Sequence, residues 1–471
     1  MGNYRYESPA LGPKALEMIK KDKEVIFGAH TRSREIPLVI ESAKGVRIKD
    51  VDGNTFLDFG AGYSVASTGY SHPEIVKILK DQSEILIHNP GSDFYYHTQV
   101  TLAKKLIDLA PGDFPKQVYF GCTGAEMVES AFKLTRYYTR RSKAISFYGA
   151  FHGRTYCGMS LSGSKKVQRA HFAPLVSEII HTLYPYCYRC MFKMSYPDCM
   201  KGQGEFEGIP MLPCVSFLTD HIFVRLLDPT EVGAIFVEPI QGEGGYIVPP
   251  PEFYRLLRAI ATKWEIPFVV DEIQSGLGRT GKMFAIEHWN VAPDVILIAK
   301  GLASGVPISA VIAPSKMMDP SIDGRGWVAG SHGSTFGGNA LATAVAVKTL
   351  EMIEGELMEN ASKTGTYMIE KLQDMKDRHK IIGDVRGKGL MIGIEIVKDR
   401  ETKERFPDDF TTDGKDIKSV IVGGAYKRGM IMFGCGFNSI RMSPPLTITK
   451  SDADEALGIF EDVIGEIEKN L

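Results

Sequence analysis

The chain has 471 residues, 44% apolar and 24% charged, long enough for two or three core-forming units of an ordinary globular protein. A formal net charge of −2 gives no electrostatic case for nucleic acid or an anionic membrane as the main partner, and no apolar run approaches the roughly 20 residues that span a bilayer. Seven cysteines are too few and odd in number for a disulfide scaffold. The first residues lack the apolar stretch of a signal peptide, and Tyr6 stands where a myristoylation motif needs Ser or Thr, so a cytoplasmic location is expected.

Residues 1 to about 35 are polar and mixed and predict an N-terminal arm with one short helix over 15–22. LVIESAKGVRIKDVDGNTFLDF alternates apolar and polar residues around a turn at Asp52-Gly53, which predicts a β-hairpin or meander. Beyond Pro73, QVYF, AISFY, GAIFVEP, PFVVDE and DVILIA read as strands, with amphipathic EMVESAFKLTRYYTRR and EFYRLLRAIATKW between them. That rhythm predicts an α/β fold with a mostly parallel sheet and helices on both faces. After about residue 344 the pattern changes. Helices over 345–354 and 366–378 lead into short strands, MIGIEIV, GMIMF and SIRMS, and a last helix over 452–469. The expected organisation is a large domain over 76–345 and a smaller α+β domain over 346–471, joined by the strands within 1–75. There is no internal repeat and no low-complexity tract.

Two of the β-branched runs end in residues that can carry chemistry. FVVDEIQSGLGRTG places Asp271, and VILIAKGLASG places Lys300, where a strand gives way to Gly-containing sequence. Open α/β sheets bind ligands at such strand ends. Either residue alone would pass for a surface lysine or a helix-capping aspartate. Together they supply a nucleophilic amine and a carboxylate able to pair with a pyridinium nitrogen, which pyridoxal phosphate chemistry requires. GCTGAEMVESAFKLTR puts Gly124 and Ala125 at the start of a helix, where backbone N–H groups can hold a phosphate. FYGAFHGRT follows a strand and offers Phe151 as a stacking face, with His152 beside it.

These stretches, with FVEPIQGEGG, HGSTFGGN, GDVRGKGLMIGIEI and IRMSPPLTI, resemble the class III (ω-amino-acid) aminotransferases, of the 4-aminobutyrate and ornithine aminotransferase kind. They occur in the family's order across nearly the whole chain. The resemblance implies the fold type I architecture of pyridoxal 5′-phosphate enzymes. It implies Lys300 as the Schiff-base lysine and proton shuttle, and Asp271 as the partner of the pyridine nitrogen. Gln274 would bond the ring oxygen, while Ile273 and Phe151 would pack on its two faces. Gly124 and Ala125 would bind the phosphate, and Thr335 would reach the phosphate of a neighbouring subunit, which implies a homodimer or higher homo-oligomer. Ala125 stands where some members have Thr.

For the substrate, the resemblance implies that Arg441 binds the α-carboxylate of glutamate or 2-oxoglutarate and that Glu243 pairs with it when an ω-amino substrate is bound. Arg154 would hold the distal carboxylate of the donor. Tyr63 departs from the aliphatic residue usual in 4-aminobutyrate enzymes and is similar to the tyrosine of ornithine aminotransferases; a packing tyrosine at the pocket mouth is the competing explanation. Some relatives in this family are racemases or epimerases that keep the same lysine and aspartate, so isomerisation is the alternative to transamination.

YPYCYRCMFKMSYPDC carries Cys187, Cys190 and Cys199, and Cys214 follows. A structural zinc site usually pairs two close-spaced ligand doublets, and here the second half is spread out. No metal is assigned, and free thiols are expected in an insert over about 185–213 that elaborates the surface near the pocket entrance.

Overall fold

The computed structural model describes residues 11–28, 35–411 and 414–471. Of the arm expected over 1–35, positions 1–10 and 29–34 lie outside the described residues, and the expected short helix spans Pro13–Val25. Seven strands form the main sheet, in the order Lys116–Gly121, Ser309–Pro314, Val295–Ile298, Phe268–Asp271, Val232–Val237, Lys143–Phe147, Ile179–Thr182. Three of these, Val232–Val237, Phe268–Asp271 and Val295–Ile298, are buried at every residue and sit centrally, as continuous apolar runs should.

The five strands read from sequence are all in this sheet. Two others escaped that reading. Ser309–Pro314 runs antiparallel to both its neighbours. The link from Ile298 holds only the short turn Lys300–Ala303, too little chain for the crossover helix a parallel return needs, so the strand doubles back. Ile179–Thr182 is a half-buried edge strand that lacks a long apolar run. The remaining pairs are parallel.

Alternation along the strands divides the core. Val269, Val295, Leu297 and Val311 cluster with Val128, Ala131 and Phe132 of the helix Gly124–Thr139. Phe268, Val270, Ile296, Ile298 and Ile312 belong to the larger cluster that takes in Phe253 and Leu257 of Pro251–Lys263 and Val345 of Ala340–Met352. Each such side chain contributes about 2 kcal/mol by leaving water. Helices therefore cover both faces and hold the strand ends in place.

The predicted meander is present as Ile40–Lys44, Arg47–Asp50 and Thr55–Asp58, paired antiparallel. Its turn is set by Asp50, whose carboxylate accepts from the N–H groups of Asp52 and Asn54 at 3.0 and 2.7 Å, and by Gly53 at φ 95°. Met430–Ile431 adds parallel to Thr55–Asp58 from the far end of the chain. A separate antiparallel sheet orders Ile382–Lys388, Met391–Ile396, Ser439–Met442 and Phe433–Cys435. The two helices expected over 345–354 and 366–378 are one helical run. Ala340–Met352 continues through a π-helical turn at Ile353–Leu357 into Met358–Arg378. Gly355, just past the end expected for the first of them, faces open space and costs only about 1 kcal/mol in helix propensity.

The cysteine insert is more than a surface elaboration. Ile209, Met211 and Leu212 are buried in the main core cluster. Arg189 Nε donates to Glu395 Oε1 at 2.6 Å, and Tyr186 donates to the same carboxylate, which also takes Arg386 Nη2 at 2.9 Å. The segment thus ties the main sheet region to Met391–Ile396 through one buried anion. Polar YPYCYR contains both anchors but gave no sign of their distant partner. Cys187, Cys190, Cys199 and Cys214 line a cavity of about 370 Å³ there. All four are free thiols. Among the described residues no three metal-ligating side chains are placed to hold an ion.

Candidate active site

A cavity of about 700 Å³ opens at the carboxyl ends of the parallel strands. Asp271 ends Phe268–Asp271, and Lys300 follows Val295–Ile298 by two residues. Phe151 and His152 sit in the turn after Lys143–Phe147, and all four line the cavity. This is the convergence the sequence predicted, now with its geometry.

Asp271 is 4% exposed, and both its oxygens are occupied. Oδ1 accepts from the Ile273 N–H at 3.1 Å, and Oδ2 lies 2.8 Å from His152 Nδ1. Burial alone would lower the pKa of His152, yet the hydrogen bond and charge of Asp271, helped by Glu238, raise it. The histidine therefore fixes the orientation of the carboxylate and keeps its charge compensated. Its other ring nitrogen is buried without a partner among the described residues.

Glu238 was missed by sequence reasoning. It follows the wholly buried Val232–Val237 strand and lines the same cavity. The Phe151 and Gly242 N–H groups donate to its two oxygens, each at 3.0 Å. Burial, together with the charge of Asp271, pushes its pKa up to about 7 against the pull of His152. A carboxylate directly after an unbroken apolar strand was the available signal. Lys300 adopts φ 42°, a left-handed conformation rare outside glycine. Burial pushes its amine down to about 8, against Asp271, with Arg441 adding to the fall. A buried amine that loses its proton near neutrality is a usable nucleophile.

The candidate anion subsite lies at the start of the helix Gly124–Thr139. Thr123 caps it, and the Glu126 side chain accepts from the Cys122 and Thr123 N–H groups at 2.9 and 2.6 Å. Gly124 and Ala125, the first residues of that helix, line the cavity. A Cβ on Gly124 would fall 2.9 Å from Ile273 Cδ1, so glycine is needed to let Ile273 lie flat against this corner. Likewise a Cβ on Gly242 would collide with Gln274 Oε1. Ile273 and Gln274 both line the cavity.

The same cavity also holds a charged group. Arg441, on Ser439–Met442, is 4% exposed, and its Nη1 is 2.7 Å from Glu243 Oε1. Glu243 Oε2 is 2.8 Å from Lys165 Nζ. Burial would raise the pKa of Glu243, but Arg441 and Lys165 hold it down at about 2. Lys165 was not foreseen, because GSKK reads as solvated surface. Tyr63 stacks on Phe433 with ring centroids 4.6 Å apart, and the Arg441 guanidinium stands 4.9 Å from the tyrosine centroid. It is held there by a left-handed turn in which Ala61, Tyr63 and Ser64 all have positive φ. Arg154 lines the cavity over the Phe151 ring, 5.9 Å from its centroid, with no salt bridge among the described residues.

Thr335 is the one predicted site residue outside this cavity; it is exposed in the loop before Ala340–Met352. The loop is pinned by His332, whose ring nitrogens lie 2.8 Å from Ser130 Oγ and 2.8 Å from Lys133 Nζ on the anion-subsite helix.

Residues 29–464 match the family described as aminotransferase class-III. The chain belongs to the class-III aminotransferase family. Similar curated relatives divide between two activities. An alanine/serine racemase of Pyrococcus horikoshii is 37% identical over 98% of this chain and 93% of its own. A leucine/methionine racemase of Thermococcus litoralis is 37% identical, over 94% of each chain. A probable 4-aminobutyrate aminotransferase of Bacillus subtilis is 35% identical over 94% of this chain and 95% of its own. A solved Bacillus anthracis aminotransferase, 28% identical, superposes with a TM-score of 0.84 over 97% of this chain and 100% of that one. The fold is that of the pyridoxal-phosphate enzymes of fold type I.

Class-III aminotransferases depend on pyridoxal phosphate, and the cavity of this family member fits it. The glycine-lined helix start offers N–H donors to a phosphate. Asp271, oriented by His152, suits a pyridinium nitrogen, and Lys300 supplies the amine. Phe151 and Ile273 supply apolar faces for a planar ring, and Gln274 a polar edge.

Proposed function

We propose that this protein transfers the amino group of an ω-amino acid of the 4-aminobutyrate or ornithine type to 2-oxoglutarate, giving the semialdehyde and glutamate. One observation carries the reading: Arg441 is buried and masked by Glu243 rather than standing open. A transaminase alternates a donor with one carboxylate and an acceptor with two. It needs an arginine that can be exposed for one substrate and neutralised for the other, so that neither state leaves a buried charge unpaired. A one-substrate isomerisation sets no such demand.

In this reading, bound pyridoxal phosphate supplies the electron sink that makes a proton on the amine-bearing carbon removable. Lys300 would be the base that takes up and returns that proton. Asp271 holds the pyridine nitrogen protonated, and His152 holds Asp271. Gly124 and Ala125 bind the phosphate, while Gln274, Ile273 and Phe151 fix the ring. Arg154 takes the donor's carboxylate, and Tyr63 borders the place where Arg441 takes the acceptor's. Thr335 reaches a partner's phosphate, which makes the working unit a homodimer or a larger homo-oligomer in the cytoplasm.

A second reading, amino-acid racemisation or epimerisation, is favoured by the 37% identity to two racemases. The test that separates them uses the cofactor-loaded enzyme in two parallel reactions. One offers a panel of ω-amino acids with 2-oxoglutarate and measures glutamate. The other offers single L-amino acids without any oxo acid and resolves the products by chiral chromatography. Glutamate in the first alone supports transamination; D-isomer in the second overturns it in favour of isomerisation.

A further inference from the structure

Arg441 and Glu243 line the cavity, Lys165 joins them by pairing with Glu243, and the three charges do not balance. Glu243 is the single carboxylate between two cations, with Arg441 Nη1 at 2.7 Å from one oxygen and Lys165 Nζ at 2.8 Å from the other. Arg441 is nearly fully buried, and its Nε has no hydrogen-bond partner among the described residues. The cluster is therefore one anion short, and its orphan donor is on the buried guanidinium. Lys165 is the more exposed cation, with 39% of its side chain open to solvent.

We propose that Lys165 is a specificity-determining residue that sets the affinity for substrates with a second carboxylate without touching them. This rests on the transamination reading above. When a dicarboxylate claims Arg441, Glu243 must leave it. A carboxylate leaving its only partner in a site where it is 19% exposed would be stranded. Lys165 removes that penalty, because Glu243 keeps one ion pair when it gives up the other. The three-group cluster then becomes two matched pairs: substrate with Arg441 and Glu243 with Lys165. With a monocarboxylate bound, Glu243 stays on Arg441, and Lys165 has little to add.

The segment carrying Lys165 can hold the lysine in this role. The neighbouring Ser164 hydroxyl donates to Gln168 at 2.7 Å, and the Gly163 N–H donates to the Ala150 carbonyl at 2.8 Å. Glu243 is fixed from the other side, where its own carbonyl accepts from the Gly436 N–H at 2.8 Å. Only the two side chains need move.

The test is equilibrium binding of non-reacting acids to the cofactor-loaded enzyme, read by calorimetry. Glutarate is the dicarboxylate probe and valerate its monocarboxylate counterpart of equal chain length. In Lys165→Met the glutarate dissociation constant should rise about ten-fold while that of valerate moves less than about two-fold, and Lys165→Arg should restore glutarate binding. Equal losses for both acids, or no loss for either, overturn the role of Lys165. A wild-type enzyme that does not prefer glutarate to valerate overturns the proposal together with the two-carboxylate reading beneath it. A normal preference left unchanged by Lys165→Met overturns the lysine's role alone.

Discussion

At the scale of single residues, the site works by setting charges against burial. Lys300 must be neutral to attack, and burial is the largest influence bringing its amine to about 8. The sign follows directly: below that pH the amine is protonated and inert, above it free. The rate at which apoenzyme captures added pyridoxal phosphate should therefore climb with pH through about 8 and level off above. A midpoint near that of an ordinary lysine, about 10.4, would contradict the burial argument. Lys300→Ala should abolish both covalent cofactor attachment and turnover. Gly124→Ala places a methyl against Ile273 in the corner proposed to receive the phosphate. It should weaken cofactor retention by about ten-fold, measured by dialysis against graded pyridoxal phosphate, with little change in melting temperature. Lys300, Asp271 and Gly124 were legible in the sequence because each follows a run whose periodicity fixes where it emerges. Lys165 and the acid Glu238 were not. Their significance lies in partners far along the chain: 78 residues separate Lys165 from Glu243, and no local pattern records that contact.

At the scale of elements, the strands that carry the chemistry were the easy ones. Val232–Val237 and Val295–Ile298 are apolar throughout, Phe268–Asp271 is apolar up to its terminal aspartate, and such runs have no other home than the middle of a sheet. Ser309–Pro314 is just as buried, but its direction is set by the shortness of the link before it, a property of the loop rather than of the strand. The cysteine insert was read too simply for a similar reason, since its anchoring runs through Glu395. Burial would raise that carboxyl's pKa, but Arg386, the Tyr186 hydroxyl and Arg189 hold it at about 2. A depressed carboxylate contributes stability that is complete above its unfolded value and is lost as pH falls through its folded one. Glu395→Gln should thus lower stability at pH 7 by roughly 3 kcal/mol, since it takes the carboxylate from partly buried Arg189 and one of the two carboxylates from Arg386. The gap from wild type should close between about pH 4.5 and pH 2. A pH-independent gap in urea unfolding would show that packing, not charge, holds the insert.

At the scale of the whole molecule, the site is assembled from parts far apart in sequence. Main-sheet strand ends supply Asp271 and Lys300, the C-terminal sheet supplies Arg441, and a turn after the N-terminal meander supplies Tyr63. The alternation of elements made the sheet-and-helix plan legible, while the mutual placement of its parts depends on packing that only the folded chain shows. Thr335, exposed and away from its own chain's cavity, makes a prediction at this scale. The protein should run at twice the chain's mass or more in light scattering, and Thr335→Ala should weaken cofactor binding without dissociating the oligomer. A monomer that is fully active would contradict it.

The most direct test of the central claim follows the cofactor's own spectrum through two separate half-reactions. Loaded enzyme is first mixed with an ω-amino acid and no oxo acid, and the visible absorbance is followed to its end. One equivalent of 2-oxoglutarate is then added. The masked-arginine account predicts that the absorbance is lost in the first step and returns in the second with stoichiometric glutamate. Absorbance that survives every donor, alongside D-isomer formed from L-amino acids with no oxo acid present, would contradict it.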